Sequence, residues 1–299
     1  MTTKKTRNAV LRARMREKNI LIAPGAHDAL CATIFEQAGF EAVYMSGFAN
    51  SAGMIGRPDV GLMSYSEMLG RATALADRVE IPIIADGDTG YGNAVNVYRT
   101  VRGYEKAGIS CIQIEDQVAP KKCGHMVGRE VIAAEEMVGK IHAACDARRD
   151  DDFMIMVRTD ARTTHGIDAA LERASLYQEA GADILFVESP ESLDEMRRIT
   201  AHCTVPTVAN MVEFGRTPLY TAEELQELGY RLMLMPVAAT FLIAKAISEA
   251  ARVMRTEGSS KSLMGSMLSM KECTDLLGLK DVREMEARYA TGRVLRDGV

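Results

Sequence analysis

The chain has no apolar run of the roughly 18 to 20 residues that a membrane-crossing helix needs. The charges between Lys4 and Lys18 lie where a secretion signal would place its apolar segment. Both absences lead to the expectation of a cytoplasmic protein. A basic excess is also missing: the formal net charge is -5 over 299 residues, which offers no electrostatic footprint for nucleic acid. Six cysteines are scattered with no C-x-x-C pair, arguing against a disulfide framework or a structural zinc site. His27, His142, His165 and His202 match no ligand spacing. The glycines form neither G-x-G-x-x-G nor a P-loop with its lysine, so no nucleotide site is expected.

What is present is 47% hydrophobic residues, enough for a large core, arranged as eight short β-branched or apolar runs. They are Ile20 to Pro24, Ala42 to Ser46, Ile81 to Asp86, Cys111 to Glu115, Phe153 to Arg158, Ile184 to Glu188, Val205 to Asn210 and Leu232 to Pro236. Helical periodicity lies between them, as in Ser66 to Val79, Ala133 to Ala147, Ala169 to Ala180 and Ala238 to Met254. Four helices end alike, at Gly39, Gly108, Gly181 and Gly229, where glycine accepts the left-handed conformation that closes a last turn. Alternating strands and helices with continuous apolar strands indicate an α/β fold, a (β/α)8 TIM-type barrel. The barrel, with an N-terminal helix, is expected over residues 1–258, and a helical arm over 259–299.

Barrel active sites lie where strands end, and these strand ends are polar. Tyr44 and Ser46-Gly47 finish the second run, Asp86 and Asp88 the third, Glu115 and Asp116 the fourth. Arg158 and Asp160 follow the fifth, Glu188 the sixth, Asn210 and Glu213 the seventh. Asp86-Gly87-Asp88 with Glu115 supplies hard oxygen ligands of the kind that suit Mg²⁺. Lys121-Lys122-Cys123-Gly124-His125 places a thiol among cations that lower its pKa, on a loop just beyond those acids. A lone cysteine is more often a buried apolar residue, yet this setting marks Cys123 as catalytic, with His125 beside it.

The order Tyr44 to Gly47, Asp59, Asp86-Gly87-Asp88, Glu115-Asp116-Gln117, Lys121 to His125, Arg158-Thr159-Asp160, Glu188 and Asn210 resembles the isocitrate lyase and phosphoenolpyruvate mutase superfamily. The resemblance covers about residues 15 to 255 and is nearest to the short-lyase branch. It implies a modified (β/α)8 barrel using Mg²⁺, with Mn²⁺ as a substitute, and a homotetramer with C-terminal helices exchanged between neighbours. By position, it implies that Asp86 coordinates Mg²⁺ while Asp59, Asp88 and Glu115 hold its water shell. Ser46, Gly47 and Arg158 would bind the carboxylate of an α-keto acid. Phe48, Gly124, Glu188, Asn210 and Thr217 would complete the substrate site, with Pro236 on its far wall.

The implied reaction breaks the C2–C3 bond of a 2-hydroxy dicarboxylate. Tyr44 or a metal-linked carboxylate such as Glu115 would take the hydroxyl proton. Lys121 and Arg158 would stabilise the charge left on the departing acid, and Cys123 would protonate C3 with His125 assisting. Met126 and Phe241-Leu242 stand where methylisocitrate lyases carry arginines, and an unpaired buried carboxylate is strongly disfavoured. A 2,3-dimethylmalate-like substrate, giving pyruvate and a short acid, is therefore expected. Methylisocitrate cleavage is the near alternative, and a carboxyphosphonoenolpyruvate-type phosphonomutase the next. A barrel reduced to a scaffold would show damage to the acids or the loop, and neither is damaged.

Overall fold

The computed structural model describes residues 6–124, 126 and 128–290. The chain runs α1 (Arg7–Met15), β1 (Leu21–Pro24), α2 (Ala29–Gln37), β2 (Val43–Met45), α3 (Gly47–Asn50), α4 (Tyr65–Arg78) and β3 (Ile83–Asp86). It continues through α5 (Ala94–Lys106), β4 (Cys111–Glu115), α6 (Ala134–Ala147), β5 (Met154–Thr159), α7 (Ala161–Glu179), β6 (Ile184–Val187) and α8 (Leu193–His202). Then come β7 (Val208–Asn210), α9 (Ala222–Glu227), β8 (Leu232–Met235), α10 (Ala238–Glu257), α11 (Met270–Leu276) and α12 (Leu279–Tyr289).

All strand pairs are parallel, in ladders β2-β3-β4-β5-β6 and β1-β8-β7. Single parallel bridges, Gly25 to Tyr44 and Leu185 to Thr207, join the two ladders at both seams. The eight strands therefore close into the expected barrel.

Side chains alternate along a strand, and the alternation sorts the apolar residues into two cores. Val43, Ile83, Ile112, Ile155, Leu185 and Ala209 face outward and pack with helix residues such as Leu75, Val101, Ile141 and Ile199. Leu21, Ala23, Ile84, Cys111, Met154, Met156, Ile184, Phe186, Val208 and Leu232 face inward, where Leu11 and Met15 of α1 join them. Burying Leu11 alone is worth about 1.5–3 kcal/mol, which explains why α1 docks there. Its basic residues are not merely solvated. Arg12 reaches Asp183 at 3.0 Å, and Arg14 binds the Asn19 carbonyl at 2.6 Å and Glu41 at 3.2 Å.

Gly39, Gly108, Gly181 and Gly229 all take positive φ, between 90° and 111°, as their repeated positions implied. One helix begins earlier than its periodicity suggested. α7 starts at Ala161 but is broken by Gly166 at φ 87°, ψ 172°, so only the part beyond the break carries a readable helical pattern.

The chain divides into two compact units, Met1–Leu242 and Ile243–Val299, and α10 buries none of its side chains. The second unit has a 3-10 turn at Lys261–Ser266, then α11 and α12, also with no buried residue.

Candidate active site

The inward alternation continues up each strand into the polar rim. Ile84 is followed two residues later by Asp86, Cys111 by Gln113 and Glu115, Met156 by Arg158, Phe186 by Glu188, and Val208 by Asn210. A parallel register sets Asp86 beside Gln113 and Glu115 beside Arg158. Asp86, Glu115, Arg158 and Glu188 are all buried, so the barrel holds a cluster of charged groups above an apolar floor.

Asp86 is held from three directions. Its Oδ2 accepts the backbone N–H of Gly47 at 3.1 Å, at the start of α3, where Ser46 is the N-cap. Its Oδ1 accepts Asp88 N at 3.0 Å and Gln113 Nε2 at 3.3 Å. A Cβ on residue 47 would lie 2.6 Å from Asp86 Oδ2, so only glycine lets the backbone approach this close. Tyr44 donates its hydroxyl to Gln113 Oε1 at 2.9 Å. Burial, with the Asp86 charge, pushes the phenol well above its usual range. Tyr44 thus acts as a proton-holding group.

Lys121 lies under the acids rather than on the cavity surface. Its ammonium sits between Asp59 at 2.7 Å and Asp88 at 2.6 Å. Despite burial, these carboxylates hold it protonated well above the ordinary lysine range. Its ammonium thus ties the two acids together, and Lys121 is not among the residues lining the cavity. Burial pushes the Asp88 carboxyl up to about 7 against the pull of Lys121.

Arg158 fans across several acids. It binds Asp160 through Nε at 3.0 Å and Nη2 at 2.8 Å, while Nη1 stands 3.3 Å from Glu115 and 3.4 Å from Glu188. Glu188 also accepts Asn210 Nδ2 at 3.1 Å and Ser189 Oγ at 3.0 Å. Burial drives the Glu115 carboxyl far upward, although Arg158 opposes this.

One cavity of about 270 Å³ gathers the reactive groups, a size suited to a small ligand. Tyr44, Ser46, Asp59, Asp86, Cys123, Gly124, Arg158, Glu188 and Asn210 all line it. Phe48, Met126, Val212, Phe214, Pro236, Val237 and Phe241 form its apolar side. Phe48 and Phe241 meet edge to face with centroids 5.9 Å apart, and Phe214 stands 6.5 Å from Phe241. Phe214 takes φ 61° and is 99% exposed, an unusual position for an aromatic beside a cavity.

Cys123 is fixed by its backbone N–H to the Asp59 carbonyl at 3.0 Å. A Cβ on residue 124 would fall 2.3 Å from Arg158 Nη2 and 2.8 Å from the Glu188 carboxyl, so glycine lets the loop lie against the acids. Thr217 is buried, its hydroxyl has no partner among the described residues, and it is not among the residues lining the cavity. His125 lies outside the described residues.

The acids fit a divalent ion. Neither oxygen of the fully buried Glu115 accepts a hydrogen bond from a described residue, and Arg158 at 3.3 Å leaves acceptor capacity that a metal ion or its waters would satisfy. Asp59, Asp86, Asp88 and Glu115 would hold Mg²⁺, chiefly through waters.

Sequence reading missed two supporting residues. Gln113 was grouped with an apolar run, yet it shares the inward alternation of Cys111 and Glu115, and that was the available signal. Arg129 had none, because its partner Asp160 is contributed by another strand end.

The sequence model of the phosphoenolpyruvate phosphomutase family matches residues 11–255. The chain belongs to the phosphoenolpyruvate mutase and isocitrate lyase superfamily. It is 54% identical to a 2,3-dimethylmalate lyase of Eubacterium barkeri over 285 residues, 94% of this chain and 99% of that one. It is 43% identical to a 2-methylisocitrate lyase of Aeropyrum pernix, covering 94% and 90%. Among solved structures, a 2,3-dimethylmalate lyase in a trigonal crystal form superposes with TM-score 0.93 at 32% identity, covering 99% of both chains. A phosphonopyruvate hydrolase in complex with oxalate and Mg²⁺ superposes with TM-score 0.87 at 34% identity, covering 95% and 99%.

Proposed function

We propose that this protein is a Mg²⁺-dependent carbon–carbon lyase that cleaves a 2,3-dimethylmalate-like 2-hydroxy dicarboxylate to pyruvate and a short carboxylic acid. The observation that carries this reading is that Asp86, Arg158 and Cys123 line a single small cavity. A bound divalent ion would acidify the substrate hydroxyl and stabilise the forming keto acid.

The protein's own groups do the rest. Ser46 and Arg158, which both line the cavity, orient the carboxylate next to C2. A carboxylate of the acid cluster, raised in basicity by burial, takes the hydroxyl proton; Glu115 has the required environment. Tyr44, which keeps its proton and lines the cavity, turns its hydroxyl from Gln113 to the oxygen that becomes the keto group. As the C2–C3 bond breaks, its electron pair passes to C3 and into the carboxylate of the departing acid. Cys123 delivers a proton to C3 and completes that acid.

Substrate choice follows from the apolar side. Arg158 is the sole cation among the described lining residues, and it is already engaged by Asp160. A C3 methyl group fits against Phe48 and Phe241, whereas the additional carboxylate of methylisocitrate would lack a partner.

The exposed apolar residues of the second unit, among them Ile247, Met264, Leu268, Met270 and Met285, support a homo-oligomer, a tetramer with exchanged helices. Light scattering on a chain lacking residues 259–299 tests this; an unchanged oligomer would refute it. No helix among the described residues is long and apolar enough to cross a membrane, in keeping with a cytoplasmic enzyme.

The deciding experiment is pyruvate release with Mg²⁺ from 2,3-dimethylmalate, methylisocitrate and phosphonate substrates. Wild type is expected to prefer 2,3-dimethylmalate. Cys123→Ser should lose about 10²–10⁴-fold in kcat with KM little changed, the scale of a positioned proton donor. Full turnover by that variant would remove Cys123 from the reaction.

A further inference from the structure

The loop bearing Cys123 rejoins the barrel at Arg129. This guanidinium is fully buried, with Nη1 donating to Asp160 Oδ1 at 2.5 Å and Nη2 to Thr163 Oγ1 at 2.6 Å. The same Asp160 oxygen accepts Arg158 Nη2 at 2.8 Å, and its second oxygen accepts Arg158 Nε at 3.0 Å. Two cations from different elements therefore share one carboxylate. Burial works to raise the Asp160 pKa, but Arg158 and Arg129 hold it below the usual carboxylate range.

The loop is tied at other points too. Val118 N donates to Glu130 O at 2.9 Å, and the Gln117 side chain binds both Lys122 N at 2.9 Å and Lys122 O at 2.8 Å. The Gly124 carbonyl accepts Ser189 Oγ at 3.1 Å. Asp116, at the start of the loop, accepts Asp160 N at 2.9 Å, and at the loop's far foot Arg129 binds the Asp160 carboxylate that orients Arg158.

We propose that Arg129 is a positioning residue: by sharing Asp160 with Arg158, it sets the register between the Cys123 loop and the cation that holds the substrate carboxylate. The role suits arginine, whose planar guanidinium presents donors to Asp160 and Thr163 in fixed directions. Removing Arg129 alone leaves the buried Asp160 with less compensation and lowers stability, so the test reads the loop's register separately from folding. The inference rests on the lyase reading above, in which Cys123 gives the proton and Arg158 anchors the head group.

The test compares Arg129→Met and Arg129→Lys with wild type. It measures kcat and KM for pyruvate release, oxalate affinity with Mg²⁺ by calorimetry, and iodoacetamide alkylation of Cys123 resolved by mass spectrometry. Arg129→Met is expected to lower kcat about 10- to 100-fold, as for loss of a supporting contact, with KM and oxalate affinity nearly unchanged. Oxalate should protect Cys123 from alkylation in wild type and fail to do so in the variant, while Arg129→Lys recovers part of kcat. Unchanged kcat with unchanged protection, whatever the melting temperature, would overturn the proposal. So would an oxalate affinity that falls in step with kcat, since Arg129 would then merely support Arg158. If Arg129→Met does not fold, Arg129→Lys must still lower kcat and weaken protection. If wild type cleaves no 2-hydroxy dicarboxylate, the lyase reading fails, and the alkylation arm still decides whether Arg129 registers the loop.

Discussion

The lower and upper halves of the barrel interior are made by the same strands with the same alternation, yet their chemistry is opposite. Below, Leu21, Ala23, Cys111, Met154 and Leu232 pack with Leu11 and Met15 in an apolar floor. Above, Asp86, Glu115, Arg158 and Glu188 are as deeply buried but charged. The boundary runs between Phe186 and Arg158, whose guanidinium lies 5.2 Å from the ring centroid. The floor exists because burial of apolar surface stabilises the fold. The upper half opposes it, because ions are removed from water and only partly repaid by each other. A protein retains such a layer where chemistry needs it.

Removing a floor side chain should produce the largest change in stability and the smallest in selectivity. Leu232→Ala, at a position with no exposure, is expected to cost about 2–5 kcal/mol in denaturant unfolding. The ratio of kcat/KM for 2,3-dimethylmalate to that for methylisocitrate should stay unchanged. A shift in that ratio would mean that the floor also shapes the site.

The rim should behave in reverse. Glu115→Gln keeps the shape but removes a buried carboxylate that accepts no hydrogen bond. Mg²⁺ affinity by calorimetry is expected to fall about 10- to 100-fold, while the metal-free protein melts no lower than wild type. A clear loss of metal-free stability would show that Glu115 supports the fold.

The smallest effect is on pH. Asp88 is raised from 3.8 to about 7 in the folded protein, so the folded state binds this proton more tightly than the unfolded chain. Its stabilising contribution is present below about 3.8 and is lost as pH rises through about 7. Mg²⁺ must displace the proton, so metal affinity should rise with pH up to about 7 and then level. Calorimetry showing a flat profile across that window would exclude Asp88 as the titrating group.

Much of this was legible in the chain because it depends on local patterns. The strands announced themselves as apolar runs, and their polar last residues marked the rim before any coordinates were known. The helix-ending glycines were equally local, since each one meets a backbone requirement within its own turn. The start of α7 was less so, because Gly166 hides its first turns. Lys121, Thr217 and Arg129 show the limit: each has a role set by what it faces, and those partners lie elsewhere in the sequence. Lys121 is held by Asp59 and Asp88, which lie 62 and 33 residues away in the chain.

By itself, then, the order of residues determined a closed parallel barrel, a rim of acids and the loop that carries Cys123, because strand patterns and turn chemistry act over a few neighbouring residues. Tertiary structure alone decided that Gln113 joins Tyr44 to Asp86, that Lys121 is locked between two carboxylates, and that Arg129 and Arg158 divide Asp160. These are contacts between strand ends and loops far apart in the chain, and closure of the barrel is what brings them within hydrogen-bonding reach.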